Sequence, residues 1–94
     1  MVQLPEAGVP AKPETVEAVR RIIADEMGIA IGELTPDRPL DELGVDSLGV
    51  IEVMFTLEET FGIRMGDERV PIRTLQDIAD IVDRLVRERD AAGR

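Results

Sequence analysis

Apolar positions along the chain fall into three helical stretches separated by one long irregular segment. Val16, Val19, Ile23 and Met27 recur at the spacing of one helix face, with Ile22 and Ala24 beside them. Glu17, Arg20, Arg21 and Asp25 lie toward the other side. Pro13 suits a first turn, Glu14 and Glu17 suit its positive end, and Gly28 suits a C-cap, so the first helix is predicted over Pro13 to Met27. The second is predicted from Ser47 to Phe61, closed by Gly62. Its apolar set is wide: Leu48, Val50, Ile51, Val53, Met54, Phe55, Leu57 and Phe61. That exceeds what one stripe of a three-helix core uses, so Val50, Val53 or Met54 is expected to be partly exposed. With Glu52, Glu58 and Glu59 interleaved, such a patch reads as a docking face. A buried central helix with a solvated acidic edge fits the pattern equally well. Leu75, Ile78, Val82 and Leu85, flanked by Ile81 and Val86, predict a last helix to about Arg89. Thr74-Leu75-Gln76-Asp77 at its start has capping-box spacing.

The segment from Gly28 to Val45 is long for a loop in a small domain unless its own side chains anchor it. Ile29, Ile31, Leu34, Leu40 and Leu43 are spaced to drop inward one by one, and Ile31 to Leu34 suits a helical turn. Gly66-Asp67-Glu68-Arg69-Val70 suits a turn or a one-turn helix. No run alternates with period two, so no strand is predicted. The expected fold is all-α: a small four-helix bundle, three main helices plus a short one, with a long first loop. The helical domain is expected over residues 13–89, with flexible tails at 1–12 and 90–94.

Composition sharpens this. A chain of 94 residues makes one small domain. Its hydrophobic content is 44% but its aromatic content only 2%, Phe55 and Phe61, so the core must be aliphatic. A formal net charge of −9 argues against nucleic-acid and anionic-membrane partners and favours partners with basic patches. The absence of cysteine fits a reducing compartment. No apolar run reaches the roughly 18 residues of a membrane span, and Met1 to Pro5 lacks the regions of a signal peptide. A monomer in the cytoplasm is expected.

Catalytic chemistry is missing. Without histidine no Ser-His-Asp triad forms, and the single lysine, Lys12, lies in the expected tail. Metal sites built on His or Cys are excluded, and Asp37, Asp41 and Asp46 do not follow a calcium-loop pattern. No glycine-rich phosphate loop precedes a helix. The chain is therefore expected not to be an enzyme. What stands out is Leu43-Gly44-Val45-Asp46-Ser47-Leu48, where the long loop meets the second helix. Gly44 permits a sharp turn. Asp46 and Ser47 are both good caps, and one cap suffices. If Asp46 takes that place, Ser47 sits at the first helical position with a free hydroxyl. A lone Asp-Ser before a helix is in most proteins only a cap.

The wider stretch changes that balance. Asp41-Glu42-Leu43-Gly44-Val45-Asp46-Ser47-Leu48 resembles the phosphopantetheine attachment motif of acyl carrier proteins. Ile51-Glu52-Val53-Met54-Phe55-Thr56-Leu57-Glu58-Glu59-Thr60-Phe61-Gly62-Ile63 is similar to that family's second helix, and Ile72-Arg73-Thr74-Leu75 to the lead into its last. The resemblance covers roughly Thr15 to Leu85. It implies that a phosphopantetheinyl transferase moves the 4'-phosphopantetheine arm of coenzyme A to Ser47, and that the arm's thiol carries an acyl group as a thioester. It implies that Asp46 lies at the transferase contact, beside the magnesium-bound cofactor. Leu48, Glu52, Val53 or Met54, and Glu58 or Glu59 would then meet basic and apolar patches on the transferase, ketosynthase, acyltransferase or acyl-activating ligase, and tailoring enzymes.

One position departs from the pattern. Gly49 stands where many fatty-acid carriers hold an acidic or polar residue, which removes a charge from the expected docking face. Ten arginines against one lysine suit a GC-rich bacterial genome. Together these lean toward a discrete polyketide or secondary-metabolite carrier over a fatty-acid one. An aminoacyl or peptidyl carrier shares the motif. A different class, an unmodified acidic adaptor that only binds basic partners, predicts that Ser47 stays bare.

Overall fold

In the computed structural model, which describes residues 11–66 and 71–92, three long helices carry the chain. These are α1 (Pro13–Met27), α2 (Ser47–Phe61) and α3 (Leu75–Ala92), and no strand occurs among the described residues. Each boundary has a local cause. Pro13 opens α1, and Gly28 and Gly62 close α1 and α2 in the left-handed conformation. At α3 the reciprocal capping box forms: Asp77 N–H donates to Thr74 Oγ1 at 3.2 Å, and Thr74 N–H donates to Asp77 Oδ2 at 3.1 Å.

The last helix outruns its expected end at Arg89 and includes residues 90–92, which were expected to fray. Apolar periodicity stops near Val86, but Ala91 and Ala92 are strong helix formers and the first helix breaker is Gly93. The other expected tail reaches residue 12. Residues 1–10 lie outside the described residues, while Ala11 is half-buried and its N–H donates to Asp80 Oδ1 at 2.9 Å. The expected turn at Gly66–Val70 also lies largely outside them, at 67–70.

The core is aliphatic. Val19 and Ile23 of α1, Val53 and Leu57 of α2, and Leu75, Ile78 and Val82 of α3 are its centre. α1 packs on both other helices, which touch each other less. The long loop seals one end, as its spacing required. Leu34 and Leu40 are buried, and Ile29 and Leu43 pack against the core. Ile31 is the exception at 39% exposed. It opens a short 3₁₀ turn, Ile31–Glu33, and Leu40–Leu43 forms a second.

Polar ties hold this loop at both edges. Arg20 of α1 donates to the carbonyls of Leu34 at 2.8 Å and Ile31 at 2.9 Å. On the other side, Leu40 N–H donates to Arg73 O and Gln76 N–H to Pro36 O, each at 2.9 Å. Asp83 is 2% exposed yet satisfied, accepting from Thr15 Oγ1 at 2.8 Å and from Arg87 Nη1 at 2.6 Å.

Candidate functional site

The second 3₁₀ turn delivers the chain to Gly44, whose φ of +83° reverses its direction. A residue with a Cβ would be strained there. Val45 then plugs the core, and its N–H donates to Leu40 O at 3.1 Å. Asp46 follows in extended conformation as the N-cap of α2. Its Oδ1 accepts from Gly49 N–H at 2.8 Å. Ser47 is thus the first helical residue, exposed, and its hydroxyl makes no hydrogen bond among the described residues. The other carboxylate oxygen of Asp46 also has no hydrogen bond among them.

The next position fixes which way α2 faces. Gly49 is buried, and a Cβ there would lie 2.9 Å from Met27 Sδ and 3.3 Å from Val45 Cγ1. The end of α1 therefore presses directly on the first turn of α2. With Gly49, Val53 and Leu57 turned inward, Leu48, Ile51 and Phe55 turn outward, at 63%, 47% and 62% exposed. Glu52 and Glu59 lie exposed beside them.

This corrects the expected docking set. Val53, expected at the surface, is 1% exposed and belongs to the core. Met54 and Val50 are half-buried at its margin. Glu58 is engaged within the fold: its Oε2 accepts from Met65 N–H at 2.8 Å and Gly66 N–H at 3.2 Å, which ties down the link after α2. Leu48, Glu52 and Glu59 are exposed. Ile51 and Phe55 had not been assigned to this face. The signal for them lay in the charges, since Glu52 and Glu59 share a helical side with Leu48 and Phe55, whereas 49, 50, 53, 57 and 61 form a stripe without a charge. Gly49 needs the same correction. It faces α1, so its missing side chain removes nothing from the outer face.

Beside Ser47 the surface sinks into an open groove of about 740 Å³. Its walls are the turn Pro39 to Glu42, Val45, Asp46 and Val50, and Ile72 with Arg73 from the lead into α3. The floor is aliphatic, and among the described residues the rim carries Asp41, Glu42, Asp46 and one cation, Arg73. A hydroxyl on this rim is open to an enzyme from outside, and a flexible chain attached to it has a neighbouring surface to lie on.

Comparison with known proteins bears on this serine. The family model described as "Phosphopantetheine attachment site" matches residues 17–84. "Acyl carrier protein 5, chloroplastic" of Arabidopsis thaliana is 39% identical over 82 residues, covering 85% of this chain and 59% of that protein. "Acyl carrier protein 1, chloroplastic" of Casuarina glauca is 37% identical over 81 residues, covering 84% and 60%. "Acyl carrier protein, chloroplastic" of Brassica napus is 36% identical over 78 residues, covering 81% and 58%. The chain spans about three fifths of the length of these curated relatives.

Proposed function

The chain belongs to the acyl carrier protein family of phosphopantetheine-bearing proteins, and from that premise we propose that Ser47 bears the arm and that thioester-bound acyl intermediates travel on it between enzymes of a fatty-acid, polyketide or related biosynthetic pathway. The family's prosthetic group is a covalently attached 4'-phosphopantetheine, and its members are carriers, not enzymes. The observation that carries the assignment to Ser47 is the division of work at the start of α2. Asp46 supplies the cap, so the Ser47 hydroxyl is exposed and unused.

The residues present fit the group. An exposed primary hydroxyl on a groove rim can accept a phosphodiester without disturbing the core. When bound, the arm supplies the thiol that this cysteine-free chain lacks. With no histidine in the chain, the base that takes the Ser47 proton belongs to the transferase. The outward oxygen of Asp46 is placed to meet that enzyme while the inward one keeps the cap. Docking falls to Leu48, Ile51 and Phe55 as an apolar strip flanked along one side by Glu52 and Glu59, with Met54 toward the other edge. Association with basic patches is then fast and charge-steered, as successive short-lived complexes require.

Partners in this reading are a phosphopantetheinyl transferase, then synthase, acyltransferase or ligase, and tailoring enzymes. The lean toward a bacterial polyketide carrier loses one of its two grounds, because Gly49 answers to Met27 and not to a docking face, and the curated relatives are chloroplastic acyl carrier proteins. The cargo is therefore proposed as an acyl thioester common to both pathways. The proposed carrier acts as a monomer in the cytoplasm, a reducing compartment with which the cysteine-free chain is compatible.

Intact mass tests this directly. The parent and Ser47→Ala are incubated with coenzyme A, magnesium and a broad-specificity transferase. The parent gains one phosphopantetheine and the variant none. A folded parent that gains nothing from an active transferase overturns the reading in favour of an unmodified adaptor.

A further inference from the structure

We propose that Arg73 is a positioning residue that pairs with the phosphodiester of the arm on Ser47 and lays the arm along the neighbouring groove. This rests on the carrier reading of Ser47. The observation is one of unmatched charge. Six of the described arginines, at 20, 21, 38, 84, 87 and 89, pair with carboxylates. Arg73 has an exposed side chain with no hydrogen bond or ion pair among the described residues, and it is the cation on the groove that holds Ser47.

Its backbone, by contrast, is held on both sides. Arg73 O accepts from Leu40 N–H at 2.9 Å, and Arg73 N–H donates to Asp77 Oδ2 at 2.9 Å. The next residue, Thr74, forms an antiparallel bridge with Pro39. The Cα is thus fixed in the groove wall while the guanidinium is left to reach. A fixed stem with a free cation suits capture of a mobile anion.

Electrostatics supplies the need. The groove is lined by Asp41, Glu42 and Asp46. A phosphodiester on Ser47 brings one more negative charge to that rim and is repelled by it. Arginine offers planar paired donors to phosphate oxygens, which lysine does not match. Arg38, 3.8 Å from Glu42, does not line the groove, which leaves Arg73 as the partner among the described residues. Once the phosphodiester is paired there, the rest of the arm is directed over Leu40, Val50 and Ile72.

Arg64 makes a natural control. It too has no partner among the described residues, but it follows the far end of α2, about 20 Å from Ser47 by helix rise. Parent, Arg73→Gln and Arg64→Gln are each driven to complete loading with excess transferase, and loading is verified by intact mass. In the parent, the Arg73 Nε–Hε resonance shifts between the unloaded and loaded forms. Nuclear Overhauser contacts from the arm to Val50 and Ile72 weaken about two- to fivefold in loaded Arg73→Gln, the scale of one solvent-exposed ion pair. They are unchanged in loaded Arg64→Gln. An Arg73 resonance that does not move on loading overturns the proposal, and so does equal weakening in both variants, which would report net charge alone. A parent that gains no mass overturns the carrier reading instead, and the role of Arg73 falls with it.

Discussion

Asp46 and Ser47 divide two tasks that either could perform alone. Both residue types cap helices, but the extended backbone of Asp46 and its bond to Gly49 N–H give it that role. Unequal stability costs follow. Asp46→Ala lowers unfolding free energy by about 1 kcal/mol, the usual cost of a lost N-cap. Ser47→Ala stays within about 0.5 kcal/mol, as for a surface residue without a partner. Urea titration of the two variants checks this, and a larger loss in Ser47→Ala would mean that the serine is the cap. The sequence offered both residues as caps and left the choice open; the backbone at Asp46 and its bond to Gly49 settle it. The reason for Gly49 was not legible there. It lies in Met27, 22 positions earlier, and only the packing of α1 on α2 brings the two together.

Apolar spacing alone leaves the orientation of α2 open, and the placement of Glu52 and Glu59 is the one local signal for it. The boundaries of α2 could be read from Asp46 and Gly62, but two apolar stripes fitted helical spacing, one through Leu48, Ile51 and Phe55 and one through Val50, Val53 and Leu57. The close approach of Met27 at Gly49 selects the second for the core. α1 and α3 posed no such problem, because each has one apolar side and one charged side. Paired substitutions test the assignment. Val53→Ala, which leaves a cavity in the core, costs roughly 2 kcal/mol. Phe55→Ser, at an exposed position, changes stability by less than about 0.5 kcal/mol. Phe55→Ser raises the transferase KM, whereas Val53→Ala leaves it near the parent value while the protein is folded. Reversed stability costs would mean that the helix is rotated relative to its neighbours.

For the molecule as a whole, the ties that close the structure join residues far apart in the chain. Thr15 meets Asp83 and Ala11 meets Asp80, separations of 68 and 69 residues. No local pattern announces them: Thr15, Asp80 and Asp83 look like ordinary surface polar residues in sequence, and Ala11 bonds through its backbone. Net charge is the opposite case: it is a sum, read directly from the chain, and it acts at long range. At −9 it repels itself within the folded molecule and attracts basic partners outside it. Salt weakens both effects, so stability and association should move in opposite directions. Between about 0.01 M and about 0.1 M salt the screening length falls from about 30 to about 10 Å. The surface ion pairs Glu17–Arg21 and Arg38–Glu42 are exposed i,i+4 pairs, too weak for their screening to outweigh the relief of repulsion. The melting temperature therefore rises across this range. The rate of association with the transferase, followed by stopped flow, falls at least severalfold, as expected for a charge-steered encounter. A melting temperature that falls with salt would mean that local pairs outweigh net repulsion. An association rate indifferent to salt would transfer recognition from the carboxylates to the apolar strip of Leu48, Ile51 and Phe55.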